Sequence, residues 1–232
     1  MEIFEKYEYN IQIKLDNFEK YVRGQRLSRF ISRYELFKKV LNISGSIVEC
    51  GVHYGGGLLA WAKLSNALEP YNYKRKIIGF DSFSGFPDFT EEDLPAQKKN
   101  PEIKEGGFNI GSDVFDELMD SIDEFENNKT LKLENKIEVV KGNAIDTIPA
   151  YLKENSQTII SILFLDFDLF KPTYVALENF LPLMPKESII AFDEINDSKW
   201  SGETQALLKM FNLNNYRLQH LSIYPTLSYI IL

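Results

Sequence analysis

Hydrophobic and polar positions follow two alternating patterns along most of the chain. Apolar stretches with the length of buried strands lie at residues 47–50, 76–80, 137–141, 159–165, 188–192, 216–223 and 227–232. Segments whose apolar residues recur every three or four positions, as in helices, lie at residues 58–68, 114–125, 147–153, 172–183 and 204–211. Because strands and helices alternate, we predict an α/β fold with a doubly wound, mostly parallel, seven-stranded sheet.

Two long segments lie outside this alternation. Residues 1–42 carry apolar side chains at helical spacing and are predicted to form an N-terminal helical cap, with a break near Gly24. Residues 82–111 are polar, contain proline and glycine, and exceed the usual length of a connection, which indicates a lid or substrate loop. Ser112 is expected to cap the helix that follows. We see no linker in the sequence and predict one domain over residues 1–232.

Composition and charge disfavour several classes of function. The chain carries 26 Lys and Arg against 34 Asp and Glu, a formal net charge of -8, which argues against nucleic acid and membrane surfaces as partners. One cysteine and two histidines leave no disulfide framework and no Cys- or His-rich metal site. The first residues are acidic where a signal peptide needs a basic start and an apolar stretch, so we expect a cytoplasmic protein.

The loop after the first predicted strand is rich in glycine. Gly51 and the glycines at 55–57 lie where dinucleotide-binding folds hold a pyrophosphate, but their spacing is not G-x-G-x-x-G. Glu49 precedes them, and its carboxylate would attract an amino group and repel a pyrophosphate. Asp81 ends the next strand, at about the 20-residue spacing expected of a ribose-binding acid. Glu49 and Asp81 therefore indicate a ligand with a ribose and an ammonium group but no diphosphate, such as S-adenosylmethionine.

Four acidic residues follow two further predicted strands. Asp166 and Asp168 end the fourth strand, and Asp193 and Glu194 end the fifth. Because parallel neighbours end at the same edge of a sheet, where ligands bind in α/β folds, we expect the four carboxylates to converge. Such a cluster needs a cation or bound protons. With no cysteine or histidine nearby in the sequence, the donors favour a hard cation, Mg²⁺ first.

Seven segments of the chain resemble, in the same order, the macrocin-type sugar O-methyltransferases of macrolide and aminocoumarin antibiotic pathways. They read VECGVHYGG (48–56), FDSFSGFP (80–87), GGF (106–108), KGNAIDTIP (141–149), LDFDLFKPT (165–173), FDE (192–194) and WSGE (200–203). The FDSF and DFDL segments are the more specific ones. The resemblance implies the Rossmann-like fold of class I methyltransferases, with S-adenosylmethionine as the methyl donor.

The resemblance also implies roles for individual residues. Asp168 would be the catalytic base, Glu49 and Gly51 would hold the methionine end of the cofactor, and Tyr54 and Gly55 belong to the same cofactor-binding loop. The other implied contacts are Asp81 and Ser82 with the ribose, Asn143 and Ala144 with the adenine, Asp166 with the cofactor, and Asp166, Asp193 and Glu194 with Mg²⁺.

The chain departs from the family pattern at several positions. Glu194 stands where the family usually has Asp, and Ser201 follows Trp200 in place of proline. Leu169 occupies the position of the lysine base of catechol-type methyltransferases. The departure at Leu169 favours Asp168 as the base.

Other functions stay open from the sequence alone. The resemblance implies an acceptor with hydroxyls, a small molecule or a glycan, and a sugar or glycoside hydroxyl first of all. Methylation of a non-sugar hydroxyl or of an amine would use the same cofactor half. An NAD-dependent oxidoreductase, or a non-catalytic ligand-binding protein, would share the Rossmann-like fold. The resemblance further suggests a homo-oligomer.

Overall fold

The computed structural model describes residues 3–87, 89–111 and 113–232. The strands are β1 (Ser46–Cys50), β2 (Ile77–Asp81), β3 (Ile137–Lys141), β4 (Ile160–Leu165), β5 (Ile189–Phe192), β6 (Gln219–Leu221) and β7 (Tyr224–Ile231). The α-helices are α1 (Ile3–Lys6), α2 (Ile11–Leu15), α3 (Gly24–Lys39), α4 (Gly56–Leu68), α5 (Leu94–Gln97), α6 (Asp113–Asn128), α7 (Ala144–Glu154), α8 (Phe170–Phe180) and α9 (Gly202–Met210). Among the described residues, no helix combines the length and apolar character that crossing a membrane requires.

The strands of the described residues form one sheet in the order β3-β2-β1-β4-β5-β7-β6. β1 to β5 run parallel, whereas β7 is antiparallel to β5 and β6. The register aligns Cys50 with Leu165 and Leu165 with Phe192, so β1, β4 and β5 end level with one another. The predicted doubly wound, mostly parallel, seven-stranded sheet is confirmed. Its strand order reverses between β1 and β4, which is where open α/β sheets bind ligands.

Helices cover both faces of the sheet. On one face, α3, α4 and α6 contribute Leu36, Trp61 and Leu118 to a buried core. On the other face, α7 and α8 contribute Ile148 and Phe180 to a second core, and α9 adds to it. Because both faces are covered, β1, β4 and β5 are buried over their whole length.

The C-terminal hairpin differs from the prediction. The sequence predicts strands at 216–223 and 227–232 around Pro225, but β6 is shorter and β7 begins at Tyr224. The turn lies at residues 222–223, so its predicted position is wrong. Pro225 has no backbone N–H to donate, and it is accommodated as the second residue of β7, close to the start of the strand.

The two segments outside the alternation are partly helical. The N-terminal segment contains α1, α2 and a 3₁₀ turn at Phe18–Lys20, and α3 begins at Gly24, where the break is predicted. The predicted lid contains a 3₁₀ turn at Glu91–Asp93 and then α5. Ser112, the expected cap of α6, lies outside the described residues.

Asp93 connects the lid segment (residues 82–111) to the start of α8 by hydrogen bonds. Its buried carboxylate accepts a hydrogen bond from the backbone N–H of Phe170 at 2.8 Å and from Thr90, through the backbone N–H at 3.0 Å and the hydroxyl at 3.1 Å. Phe170 begins α8 two residues after Asp168. The lid segment is therefore attached beside the predicted acidic site.

Arg75 joins the amino-terminal ends of the central strands to α3. Its buried guanidinium donates to Glu69 Oε1 at 2.7 Å and to Ser161 in β4 at 2.5 Å. It also donates to the backbone carbonyls of Val40, Ile43 and Gly45, at 3.1, 3.0 and 2.7 Å. A single side chain therefore satisfies carbonyl groups at the end of α3 and just before β1.

We expect Arg75→Ala to lower the free energy of unfolding by about 3–5 kcal/mol, because it leaves buried acceptors and the Glu69 carboxylate unpaired. Urea unfolding followed by circular dichroism measures the change. The matched control is Arg217→Ala at an exposed position, with an expected change within about 0.5 kcal/mol. Equal stability of the two variants would contradict the role given to Arg75.

Candidate active site

A cavity of about 350 Å³ opens at the carboxyl edge of the sheet. Its walls come from the loops after β1 to β5, from the lid segment and from α3. The sequence-predicted site residues that line it are Gly51, Asp81, Ser82, Asn143, Ala144, Asp166, Asp168, Asp193 and Glu194. The topology thus brings together both the glycine loop and the acidic residues that the sequence indicates.

Gly51 lets the ends of β1 and β4 approach each other closely. Its φ is +92°, and a Cβ at this position would lie 2.0 Å from the backbone oxygen of Asp166. The contact is held by the backbone N–H of Asp166, which donates to Cys50 O at 2.8 Å. A side chain at position 51 would push the glycine loop away from Asp166.

Asp81 organises the glycine loop through backbone hydrogen bonds. Its Oδ2 accepts from the N–H groups of Val52 and His53, both at 2.8 Å, and its Oδ1 accepts from that of Phe83 at 2.7 Å. A carboxylate has about four lone-pair positions, so about one remains at Oδ1 for a ligand hydroxyl. Ser82 donates its hydroxyl to Gly85 O at 2.6 Å, which shapes the start of the lid segment.

Asn143 caps α7 at the floor of the cavity. Its Oδ1 accepts from the backbone N–H of Ile145 at 3.1 Å, and Ala144 is the first residue of the helix. The cap fixes the side chain and leaves the amide Nδ2 as the group that a ligand could meet.

Three of the expected cofactor residues do not line the cavity. Glu49 is buried and its Oε1 accepts from the guanidinium of Arg33 at 2.8 Å. Tyr54 is 60% exposed, with its ring against His53. Gly55 has a φ of +79°, which is unfavourable for a residue with a side chain, and a Cβ there would lie 2.2 Å from the end of the Leu118 side chain, which would have to move. These residues support the loop from outside the cavity.

The four predicted acids lie together at the ends of β4 and β5, with a guanidinium between two of them. Arg29 Nη2 of α3 donates to Asp193 Oδ2 at 3.1 Å and to Asp166 Oδ2 at 3.5 Å. Asp168 and Glu194 line the cavity beside this pair. Among the described residues, no three acidic, histidine or cysteine side chains are arranged as a metal-binding group.

Burial and mutual repulsion change the acidity of this cluster. Burial raises the pKa of Asp166 well above its usual range, and the charges of Asp193 and Asp168 raise it further. Burial, Glu194 and Asp193 do the same to the pKa of Asp168. For Glu194, burial and the neighbouring Asp193 raise the pKa to about 7. The cluster therefore favours either bound protons or a cation.

Two charged residues at or beside the cavity are not predicted from the sequence, Arg29 and Glu203. Arg29 is one helical turn before Arg33, so the two guanidinium groups occupy one face of α3. Glu203 shares the buried face of α9 with Ala206 and Leu207. Its side chain is fully buried, and burial raises its pKa well above the usual range. In the sequence, Arg29 and Glu203 are recognisable only as charged residues at helical spacing from apolar ones. That pattern does not identify the groups that they contact.

Aromatic side chains also line the cavity. Phe86 and Phe108 from the lid segment and Trp200 lie with their ring centroids 5.5 to 6.5 Å apart. His53 faces Phe108 from the glycine loop at 6.3 Å. The cavity lining thus combines acidic and aromatic side chains.

The macrocin O-methyltransferase (TylF) family model matches residues 22–216. The chain belongs to this family. The match extends over α3 and all of β1 to β5, and therefore over every residue named above as lining the cavity. Among curated proteins, the comparison finds no match.

Solved structures agree with this membership. CalS11, the calicheamicin methyltransferase, is 32% identical with a TM-score of 0.91, over 97% of this chain and 86% of that chain. Its apo structure, described as a TDP-rhamnose 3′-O-methyltransferase, is 29% identical with a TM-score of 0.83, over 97% and 87% of the two chains. The O-methyltransferase NovP, at 19% identity, has a TM-score of 0.66 over 88% and 79%, and shares the fold.

Family membership decides between the classes of function considered from the sequence. The macrocin O-methyltransferase family consists of S-adenosylmethionine-dependent enzymes, so this chain is a methyltransferase with the class I fold. The oxidoreductase and the non-catalytic binding protein are excluded as alternatives.

We expect Gly51→Ala to lower the free energy of unfolding by about 3 kcal/mol, because the new Cβ meets backbone and the positive φ is unfavourable for alanine. Gly24→Ala is the matched control, since position 24 begins α3 and a Cβ there meets no atom within 4 Å. Thermal and urea unfolding compare the two. Unchanged stability of Gly51→Ala would show that β1 and β4 are not held this closely.

Proposed function

We propose that the enzyme transfers a methyl group from S-adenosylmethionine to a hydroxyl of a sugar or glycoside, with assistance from Mg²⁺. The observation that supports this most directly is the position of Asp168. Its carboxylate lines the same cavity as Gly51 and Asp81, beside three further acids. A base, a candidate cation site and a cofactor loop thus share one cavity.

Four elements of the chain would hold the cofactor. The backbone at Gly51 and the side chain of Asp166, which line the cavity, would border the methionine end, and the free acceptor position of Asp81 suits a ribose hydroxyl. Asn143 and Ala144 would contact the adenine. Glu49 supports the loop through Arg33, and its buried Oε2 has no hydrogen-bond partner among the described residues. When bound, S-adenosylmethionine supplies the methyl group as an electrophilic sulfonium.

The donor chemistry of the acidic cluster fits Mg²⁺. Among the described residues, Asp193 Oδ1 and Glu194 Oε2 are buried without a hydrogen-bond partner, and buried carboxylate oxygens need a positive charge or a donor. We assign Asp166, Asp193 and Glu194 as the residues that would hold the ion. Bound there, Mg²⁺ would stabilise negative charge on a substrate oxygen. Arg29 already supplies one positive charge to Asp166 and Asp193.

Asp168 is the proposed general base. It would accept the proton of the acceptor hydroxyl as that oxygen takes the methyl group, and S-adenosylhomocysteine would be the leaving group. Burial and the neighbouring acids raise the pKa of Asp168, and the positive charge of a bound Mg²⁺ would lower that pKa again. The rest of the rate enhancement comes from positioning by the cavity walls.

The proposed acceptor follows from the walls and from the relatives. The aromatic wall of Phe86, Phe108 and Trp200 offers an apolar surface to the carbon face of a sugar ring, while the acids face its hydroxyls. CalS11 is described as acting on TDP-rhamnose, which makes that compound the first acceptor to assay. Methylation of a non-sugar hydroxyl or of an amine is the alternative, and an acceptor panel distinguishes them.

We expect Asp168→Asn to lower methyl transfer by at least about a hundredfold, because an amide does not accept the hydroxyl proton. Transfer of radiolabelled methyl from S-adenosylmethionine to TDP-rhamnose measures the rate. Affinity for S-adenosylhomocysteine, measured by calorimetry, should stay near the wild-type value.

The control for this variant is Asp120→Asn, an exposed position on α6. It should leave both transfer and affinity unchanged. Near-normal transfer by Asp168→Asn would reject Asp168 as the base.

We expect excess chelator to stop methyl transfer and added Mg²⁺ to restore it, since a bound cation would offset the charge of Asp166, Asp193 and Glu194. In Asp193→Asn, restoration should need more Mg²⁺ than in the wild type. Affinity for S-adenosylhomocysteine in chelator serves as the control for folding. Full activity in excess chelator would remove the ion from the proposed function.

A further inference from the structure

Glu203 is a buried acid that the proposed chemistry leaves without a role. The residue has no measurable exposure, and among the described residues no lysine, arginine or histidine forms an ion pair with it. A buried carboxyl group without a cation is costly in free energy. Its contacts therefore need an explanation.

The two oxygens of Glu203 contact two different loops of the site. Oε1 accepts from the backbone N–H of Asp168 and Oε2 from that of Glu194, each at 3.4 Å. Asp168 follows β4 and Glu194 follows β5. One side chain thus connects the proposed base to a proposed cation ligand.

The residue before Glu203 shows how tightly α9 lies against the base loop. A Cβ on Gly202 would be 2.4 Å from Asp168 O and 2.4 Å from the backbone nitrogen of Phe170. Glycine allows this approach, and it places Glu203 in the first turn of α9 under both loops.

The backbone at Asp168 needs such support. Its φ is +63°, a left-handed conformation that is unfavourable for a residue with a side chain. The preceding residues have left β4, and α8 begins only at Phe170. A fixed acceptor for the Asp168 N–H restrains the peptide group whose side chain is the proposed base.

We propose that Glu203 is a positioning residue, whose carboxyl group holds the loops of Asp168 and Glu194 at a fixed separation for methyl transfer. The proposal rests on the proposed function for the roles of those two acids. It gives Glu203 no contact with substrate, since Glu203 does not line the cavity.

Glu203→Gln is the sharpest test, because it keeps the size of the side chain and replaces one oxygen, which accepts a hydrogen bond in either protonation state, by an NH₂ group that cannot accept one. One of the two backbone N–H groups then faces an amide NH₂. We expect kcat with TDP-rhamnose to fall at least about tenfold, the usual effect of losing a residue that orients a catalytic group. The KM for S-adenosylmethionine and the affinity for S-adenosylhomocysteine should stay within about twofold.

Leu207→Ala is the matched control for a loss of stability. Leu207 is buried one turn further along α9 and does not line the cavity. It should lower the melting temperature and leave kcat unchanged at a temperature where the protein is folded. If Glu203→Gln lowers kcat no more than Leu207→Ala, Glu203 is merely structural and the proposal is wrong.

Hydrogen exchange of the wild-type protein tests the same contact without a variant. The amides of Asp168 and Glu194 should exchange slowly, and in Glu203→Gln at least one of them should exchange faster while the strand amides stay protected. Fast exchange of both amides in the wild type would overturn the proposal, whether or not the variant folds.

The outcome for Asp168→Asn separates this inference from the proposed function. If Asp168→Asn is inactive and Glu203→Gln has normal kcat and normal exchange, only the role of Glu203 fails. If Asp168→Asn is active, the assignment of the base fails. The contacts of Glu203 with the backbone of Asp168 and Glu194 are then tested by hydrogen exchange alone. Absence of wild-type transfer to TDP-rhamnose would count against the acceptor and would leave the exchange test in force.

Discussion

Two adjacent parallel strands that both end in acidic residues impose the constraint on which the whole site depends. β4 and β5 end level, so Asp166, Asp168, Asp193 and Glu194 meet at one edge of the sheet. Glu203 lies beneath them. Carboxyl groups brought together in a partly dry cavity must bind protons or a cation. The raised pKa values of Asp166, Asp168 and Glu194 have this cause, and the proposed base and cation site both depend on it.

The N-terminal helical segment supplies part of the positive charge that the acidic cluster requires. Arg29 lies near enough to Asp166 and Asp193 to share its charge with both, and Arg33 pairs with Glu49 behind the glycine loop. Arg33 also lies over the ring of Phe164 at 4.6 Å, which fixes α3 against β4. α3 therefore belongs to the site as much as the strands do, although the pattern of its sequence predicts only a helical cap.

The sequence predicts the fold and most of the cavity because both follow from local patterns. Apolar segments of strand length that alternate with segments of helical periodicity predict the parallel sheet. Because β4 and β5 are parallel neighbours, their carboxyl ends lie together. The sequence does not reveal which group each charged side chain contacts in the folded protein. Glu49 pairs with a guanidinium on α3, Gly55 lies against the side chain of Leu118, and Glu203 accepts hydrogen bonds from the backbone of two different loops. Such pairings depend on how helices dock, which spacing along the chain does not encode.

Manganese can replace magnesium and scatters X-rays anomalously, so crystals grown with Mn²⁺ and S-adenosylhomocysteine would show whether the acidic cluster binds a divalent cation. We expect an anomalous peak bounded by Asp166, Asp193 and Glu194, with Arg29 displaced from at least one of its two aspartates. A map without a peak there, with the cofactor bound and the Arg29 contacts intact, would contradict it.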